Sequence, residues 1–233
     1  MNTAIIVAAG SGQRFASTTP KQFLPILGRP LIIHTIERFE SCPAIDEIVL
    51  VLSQEGRVEF ERLVSQFEFS KINTVVTGGK TRAASVKNGF DSIDASTANV
   101  IAVHDGARPL VTTAEITRTV EKASETGAAC LVAGVTDTIK EIVGEYISST
   151  VERNRLRRAL TPQAFRYEIL RNAFQGVELD ESITDECYLV EKLGVKIVCV
   201  AGNALNIKIT RPEDIILAEA YLSDIQGKPR IHE

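Results

Sequence analysis

Six short runs rich in Val and Ile recur along the chain with helix-period segments between them: 4–9, 48–52, 74–76, 100–103, 130–135 and 197–200. Runs that are apolar at every position are strands covered on both faces. A strand followed by a helix returns to the same sheet through a crossover, so the alternation predicts a three-layer α/β fold around a mostly parallel, twisted sheet. Pro30 is expected at the first position of a helix that carries Ile32, Ile36 and Phe39 on one face. Val58, Leu63, Val64 and Phe67 mark a second helix, and Ala83, Val86, Phe90 and Ile93 a third. Thr112 with Glu115, and Thr210 with Glu213, have the spacing of capping boxes. Ligands of such sheets bind beyond the carboxyl ends of the strands, which directs attention to the residues just after each apolar run.

One stretch breaks the alternation. Gly144-Glu145 separates two β-tending segments, 138–143 and 146–151, as in a hairpin. A lone two-stranded hairpin is marginal in water, so this one is expected to lean on the parent domain or on a second subunit. The 233 residues are expected to form a single domain, 1–233, with a β-hairpin over 136–151 and the polar tail 226–233 frayed.

No apolar run approaches the roughly 20 residues of a membrane span, and Asn2-Thr3 is not the basic start of a signal peptide. The expected location is the cytoplasm, or a plastid if a transit peptide has been removed. Cys42, Cys130, Cys187 and Cys199 form no C-x-x-C pair and read as buried free thiols rather than metal ligands. With 26 basic and 30 acidic side chains the net charge is -4, which argues against a nucleic-acid binder. Phosphate chemistry, if present, is local.

The first strand runs into Ala8-Ala9-Gly10-Ser11-Gly12-Gln13-Arg14-Phe15, a turn whose backbone N–H groups can cradle phosphate oxygens. It is not the dinucleotide fingerprint: Phe15 stands where a third glycine belongs, and about 20 positions on the chain offers Gly28 to Pro30 rather than an acid. It has instead Arg14 and, in Pro20-Lys21-Gln22, a second cation. Two cations converging on a glycine-rich loop suit a triphosphate undergoing substitution, although a structural turn with solvated cations has the same sequence. Gly78 and Gly79 after the third run permit close approach of a base or ribose, and Ser85 supplies a hydroxyl. His104-Asp105-Gly106-Ala107-Arg108 after the fourth run presents a carboxylate and a guanidinium, which can meet ligand hydroxyls and phosphates or each other. Lys208 sits in a β-like alternation before a helix start. Arg153, Arg155, Arg157 and Arg158 cluster, and spacing alone does not choose among them. Gly-x-Ser-x-Gly and His-Glu-x-x-His are both absent. A missing nucleophile and base is expected when the attacking group is a phosphate oxygen, already anionic at neutral pH.

Together the blocks Ala8 to Arg14, Pro20-Lys21-Gln22, Gly78 to Ser85, Val103 to Pro109, Ala159-Leu160-Thr161-Pro162-Gln163, Thr184-Asp185-Glu186 and Asn206 to Asp214 resemble, in order, the 2-C-methyl-D-erythritol 4-phosphate cytidylyltransferases. The resemblance covers residues 3 to about 223. It implies a Rossmann-like nucleotidyltransferase fold with a protruding β-arm. The implied reaction takes CTP and methylerythritol 4-phosphate to CDP-methylerythritol and pyrophosphate by in-line attack of the substrate phosphate on the α-phosphorus. Mg2+ is implied as an ion bound mainly through the triphosphate, with no metal-ligating side chain. Catalytic roles fall on Arg14, Lys21, Arg153 and Lys208. CTP contacts fall on Ala8, Ala9, Gly10, Ser11, Gly12, Arg14, Lys21, Gly78, Gly79, Ser85, Asp105 and Gly106. Polyol-phosphate contacts fall on Asp105, Arg108, Thr138, Arg153, Thr184 and Lys208. The resemblance also implies a homodimer in which 136–152 crosses to the partner, so that Thr138 and Arg153 serve the other subunit's site. A ribitol 5-phosphate cytidylyltransferase shares several of these blocks, and two readings from other classes are a nucleotide-dependent dehydrogenase and a non-catalytic nucleotide-binding protein.

Overall fold

The computed structural model describes residues 1–10 and 20–225. Its elements follow the expected alternation: β1 (Thr3–Ala8), a 3-10 turn at Lys21–Phe23, the paired two-residue strands β2 (Pro25–Ile26) and β3 (Arg29–Pro30), α1 (Leu31–Glu40), β4 (Glu47–Leu52), α2 (Gln54–Val64), β5 (Ile72–Thr77), α3 (Arg82–Asp91), β6 (Val100–Asp105), α4 (Thr113–Thr126) and β7 (Ala128–Gly134). Next come β8 (Ile139–Val143), β9 (Tyr146–Val151), β10 (Arg157–Arg166), α5 (Tyr167–Ala173), α6 (Glu186–Lys192), β11 (Val198–Ala201) and α7 (Pro212–Ile225). The main sheet has seven strands in the order β11-β7-β10-β6-β1-β4-β5. All neighbours are parallel except β10, which runs antiparallel to both β6 and β7. The fold is α/β with a mostly parallel sheet.

Period-2 alternation explains why these strands are apolar throughout. Ala4 and Ile6 of β1 and Ala102 of β6 face the core under α1 and α4, where Ile32, Ile36, Phe39, Ile116 and Val120 meet them. Ile5 of β1, with Ile101 and Val103 of β6, faces the opposite core of α3, α5 and α6, built on Val86, Phe90, Leu170 and Val190. A third cluster joins Ile26, Leu31, Ala107 and Ile209 to Ala218 and Leu222 of α7, and so fixes the loops beside the strand ends.

Several sequence expectations are corrected. Pro30 is the residue before α1 rather than its first member; its ψ of 137 is extended, and it pairs with Pro25. In α2 the buried apolar residue is Phe60, whereas Val58 is exposed and Phe67 lies beyond the helix end. The cap of α7 is completed by Asp214 rather than Glu213: the Asp214 carboxylate accepts from the Thr210 amide at 2.7 Å and from the Thr210 hydroxyl at 3.0 Å. The Thr112–Glu115 box forms as expected. Three of the four thiols are buried, but Cys199 is exposed. β10 is a strand that the sequence pattern did not announce. The hairpin is present as β8 and β9, with Ile142, Val143, Tyr146 and Ile147 all exposed. Ser11, Gly12, Arg14 and the tail 226–233 lie outside the described residues.

Candidate active site

Strand order places β1 between β4, its successor through α1, and β6, which lies on the other side. This is a topological switch point, the place where open α/β sheets form a crevice. The register aligns Ala8 with Leu52, Leu52 with Thr77, and Val7 with Asp105, so β1, β4, β5 and β6 end together. A cleft of about 420 Å³ opens there. Its walls are Ala8, Ala9 and Gly10 after β1, Gly79 to Arg82 and Ser85 after β5, Asp105 and Ala107 after β6, and Lys21, Gln22 and Lys208 from flanking loops. Asp180, Glu181 and Ile183, in the segment before α6, complete it.

Asp105 is the electrostatic centre. Arg82 Nε donates to Oδ1 at 2.9 Å, while Oδ2 faces Lys208 Nζ at 3.0 Å and Arg108 Nε at 3.4 Å. Burial works to raise the Asp105 pKa, but Arg82, Lys208 and Arg108 together hold this carboxyl far below the usual carboxylate range. Arg82 also donates from Nη1 to Oε1 of the fully buried Glu186 at 2.7 Å. Against burial, Glu186 and Asp105 hold the guanidinium more firmly protonated than an ordinary arginine. Burial pushes the Glu186 carboxyl up.

A relay of hydrogen bonds sets the backbone under this cluster. The Asp105 amide donates to Thr161 Oγ1 at 3.2 Å, and Thr161 Oγ1 lies 2.9 Å from His104 Nδ1. His104 Nε2 lies 3.1 Å from the Arg108 carbonyl, which can only accept, so Nε2 carries the proton and Nδ1 accepts from the Thr161 hydroxyl. Burial lowers the His104 pKa to about 3, which keeps the ring neutral. His104 therefore shapes its loop. Arg108 turns inward as well, donating from Nη1 to the Asn206 carbonyl at 2.8 Å. The Ile209 amide donates to the Ala107 carbonyl at 2.9 Å, and Lys21 Nζ donates to the Ile209 carbonyl at 2.9 Å. Lys21 and Lys208 are thus held at one segment although they are far apart in sequence.

The glycine loop after β5 is dictated by close approach. A Cβ at Gly78 would stand 2.3 Å from Ala9 Cβ and 2.8 Å from Ser85 Oγ, so the loop abuts the turn after β1 only as glycine. Gly106 is similar, with a Cβ 2.9 Å from Ala8 Cβ; its amide donates to the Val7 carbonyl at 2.8 Å. Ser85 Oγ accepts from the Gly79 amide at 3.1 Å and donates to the Thr81 carbonyl at 2.9 Å, closing the loop from within.

Of the residues singled out from the sequence, Ala8, Ala9, Gly10, Lys21, Gly79, Ser85, Asp105 and Lys208 come together in the cleft. Gly78, Gly106 and Arg108 pack directly behind it. Thr184 is exposed and follows the cleft residue Ile183. Thr138 and Arg153 are exposed on the arm and its root and are not among the cleft residues; Arg153 Nη1 donates to the Thr136 carbonyl at 2.6 Å. Sequence reasoning gave no role to Arg82 or Glu186. A charged residue at the first position of each of two helices was the available signal. Among the described residues no group of three or more His, Cys, Asp or Glu side chains is placed to hold a metal ion.

The chain matches, over residues 2–224, the family described as IspD: 2-C-methyl-D-erythritol 4-phosphate cytidylyltransferase. It is 39% identical over 228 residues to the 2-C-methyl-D-erythritol 4-phosphate cytidylyltransferase of Syntrophus aciditrophicus, covering 97% of both chains. It is 40% identical over 230 residues to the protein of that name from Geotalea uraniireducens, covering 97% of this chain and 98% of the other. Among solved structures, the 4-diphosphocytidyl-2C-methyl-D-erythritol synthase of Anaerococcus prevotii superposes with a TM-score of 0.83 at 29% identity, covering 95% of this chain and 96% of that one. The 2-C-methyl-D-erythritol 4-phosphate cytidylyltransferase of Thermus thermophilus gives a TM-score of 0.73 at 32% identity, covering 95% of this chain and 98% of that one.

Proposed function

The chain belongs to the 2-C-methyl-D-erythritol 4-phosphate cytidylyltransferase family and is a nucleotidyltransferase, and from that premise we propose that it transfers the cytidylyl group of CTP to methylerythritol 4-phosphate by direct in-line displacement. The observation that carries this reading is the convergence of two lysines on one strand-end cleft: Lys21 on the Ile209 carbonyl at 2.9 Å, and Lys208 on Asp105 at 3.0 Å. Such an arrangement serves a reaction between two phosphates, where charge must be neutralised on both and no base is needed.

In the proposed reaction an anionic oxygen of the polyol phosphate forms a bond to the α-phosphorus of CTP, and the bond from that phosphorus to the bridging oxygen breaks, releasing pyrophosphate. Lys21, with Arg14 from the glycine-rich turn, neutralises charge on the pentacoordinate phosphorus. Lys208 holds the attacking phosphate, and Asp105 accepts from a polyol hydroxyl. The loop at Gly78 and Gly79 receives cytosine and ribose. Arg108 donates to Asp105 and to the Asn206 carbonyl, which holds the 206–209 segment in place, and its remaining N–H groups are left to meet the polyol phosphate.

The donor set fits Mg2+ that arrives on the triphosphate, because Asp105 is already shared among three cations and the other cleft carboxylates, Asp180 and Glu181, stand on the wall before α6 and form no group of three ligands among the described residues. Bound there, the ion supplies charge neutralisation on the departing phosphates. The exposed side chains of the arm, Tyr146 at 80% and Ile147 at 66%, support a homodimer in which Thr138 and Arg153 reach the partner's cleft.

The test is stereochemical. Transfer from CTP carrying a chiral α-thiophosphate is expected to invert configuration at phosphorus. Retention would demand a covalent enzyme intermediate and overturn the single-displacement reading.

A further inference from the structure

Lys208 faces a conflict in this structure: the proposed holder of the attacking phosphate is already 3.0 Å from a carboxylate. A lysine bound by a lone buried carboxylate would be withheld from an incoming anion, because leaving it would strand a buried negative charge. Asp105 is not alone with Lys208. Its Oδ1 is occupied by Arg82 at 2.9 Å, and that bond fixes the rotation of the carboxylate so that Oδ2 faces Lys208. Arg82 is itself gripped from a second direction by Glu186 at 2.7 Å. The planar guanidinium serves both carboxylates at once, which a lysine cannot do at a fixed angle. Arg82 and Glu186 begin α3 and α6, so the pair also ties the ends of two helices to the end of β6.

We propose that Arg82, anchored by Glu186, is a positioning residue that retains and orients the Asp105 carboxylate so that Lys208 can leave it for the attacking phosphate. This rests on the polyol-phosphate reading of the site. It adds to that reading a residue that acts through another, and it explains why a cleft for phosphates keeps a carboxylate at its centre: Asp105 parks Lys208 until substrate arrives, and Arg82 makes the release possible. The Lys208 side chain is 38% exposed against 22% for Arg82 and 12% for Arg108, so Lys208 is the partner of Asp105 with most access to a ligand.

The experiment is a double-mutant cycle on the full chain, following pyrophosphate release from CTP and methylerythritol 4-phosphate. Arg82→Gln is expected to lower kcat/KM for the polyol phosphate about tenfold, with the KM for CTP moving less than about twofold, and to cost almost nothing further once Lys208 is alanine. Equal losses in both backgrounds, or parallel increases in both KM values, would assign Arg82 a merely structural role and overturn the inference. If Arg82→Gln alone does not fold, the cycle is run with Arg82→Gln/Glu186→Gln, which removes the buried pair together. Wild-type protein silent with this substrate pair would overturn the functional reading and the inference with it, whereas active wild type with additive losses overturns the inference alone.

Discussion

Asp105 shows how one side chain organises a site when its neighbours are charged and its surroundings dry. Both oxygens are committed to cations and its own amide to Thr161, so little about its orientation is left free. Two substitutions separate the halves of the proposed chemistry. Asp105→Ala is expected to raise the KM for the polyol phosphate at least about tenfold while CTP affinity, measured by calorimetry, stays within about threefold. Lys21→Ala is expected to lower kcat far more than it weakens CTP binding, because its partner is charge that develops in the transition state. Collapse of CTP binding in the first variant, or near-normal turnover in the second, would mean that the residue serves the other substrate or none. At this scale the sequence exposed Gly79 and Asp105, which stand at or just after strand ends, and Lys21 and Lys208 within the resembling blocks. Arg82 and Glu186 lay within two of the resembling blocks and each opens a helix, but a partnership across 104 positions gave no sign of what they do.

Among the elements, legibility follows how local the cause is. The Thr112–Glu115 box formed because both partners lie within one turn: the Glu115 amide meets Thr112 Oγ1 at 3.2 Å and the Thr112 amide meets Glu115 Oε2 at 2.9 Å. Thr112→Ala is expected to cost about 1 kcal/mol of stability by urea unfolding; no change would show that α4 is held by packing alone. At α7 the same spacing misled, since Asp214 takes three donors from Thr210 and Arg211 and leaves Glu213 no part in the cap. β10 escaped notice because Arg157, Arg158, Pro162 and Gln163 read as loop, and proline has no amide for a ladder. The strand absorbs it by interrupting its pairing with β7 between Ala159 and Gln163. That interruption also brings Thr161 beneath Asp105. The arm was visible from its turn, but what covers it was not. Replacing 138–151 by a short glycine-rich turn is expected to convert a dimer to a monomer in sedimentation and to abolish turnover. A monomeric wild type would contradict the proposed assembly.

At the level of the whole molecule, the site imposes a pH signature on stability. His104 is neutral when folded, with a pKa lowered by burial to about 3, whereas an unfolded histidine titrates near 6.5. Below that value the unfolded chain gains a proton that the folded one refuses, so stability is full above about pH 6.5 and declines as pH falls toward 3. Asp105 acts in the same direction at lower pH: its depressed pKa stabilises above the ordinary aspartate range, and that contribution is lost as acid protonates it. The stability lost between pH 7.5 and pH 5.0 in urea unfolding is expected to be about 2 kcal/mol larger in the wild type than in His104→Asn, a comparison that cancels Glu186, whose raised pKa acts in the opposite sense; equal losses would mean that His104 is not held neutral. The fold class was legible because strands covered on both faces leave continuous apolar runs; the antiparallel strand between β7 and β6 was not, because its buried Thr161 and Gln163 are polar and bond to Asp105, His104, Asp185 and Cys187. Everything proposed for the cleft depends finally on its substrate. The decisive measurement is pyrophosphate release from CTP and Mg2+ with methylerythritol 4-phosphate and, in parallel, with ribitol 5-phosphate. Release with methylerythritol 4-phosphate alone is predicted; release with ribitol 5-phosphate alone, or with neither, would contradict it.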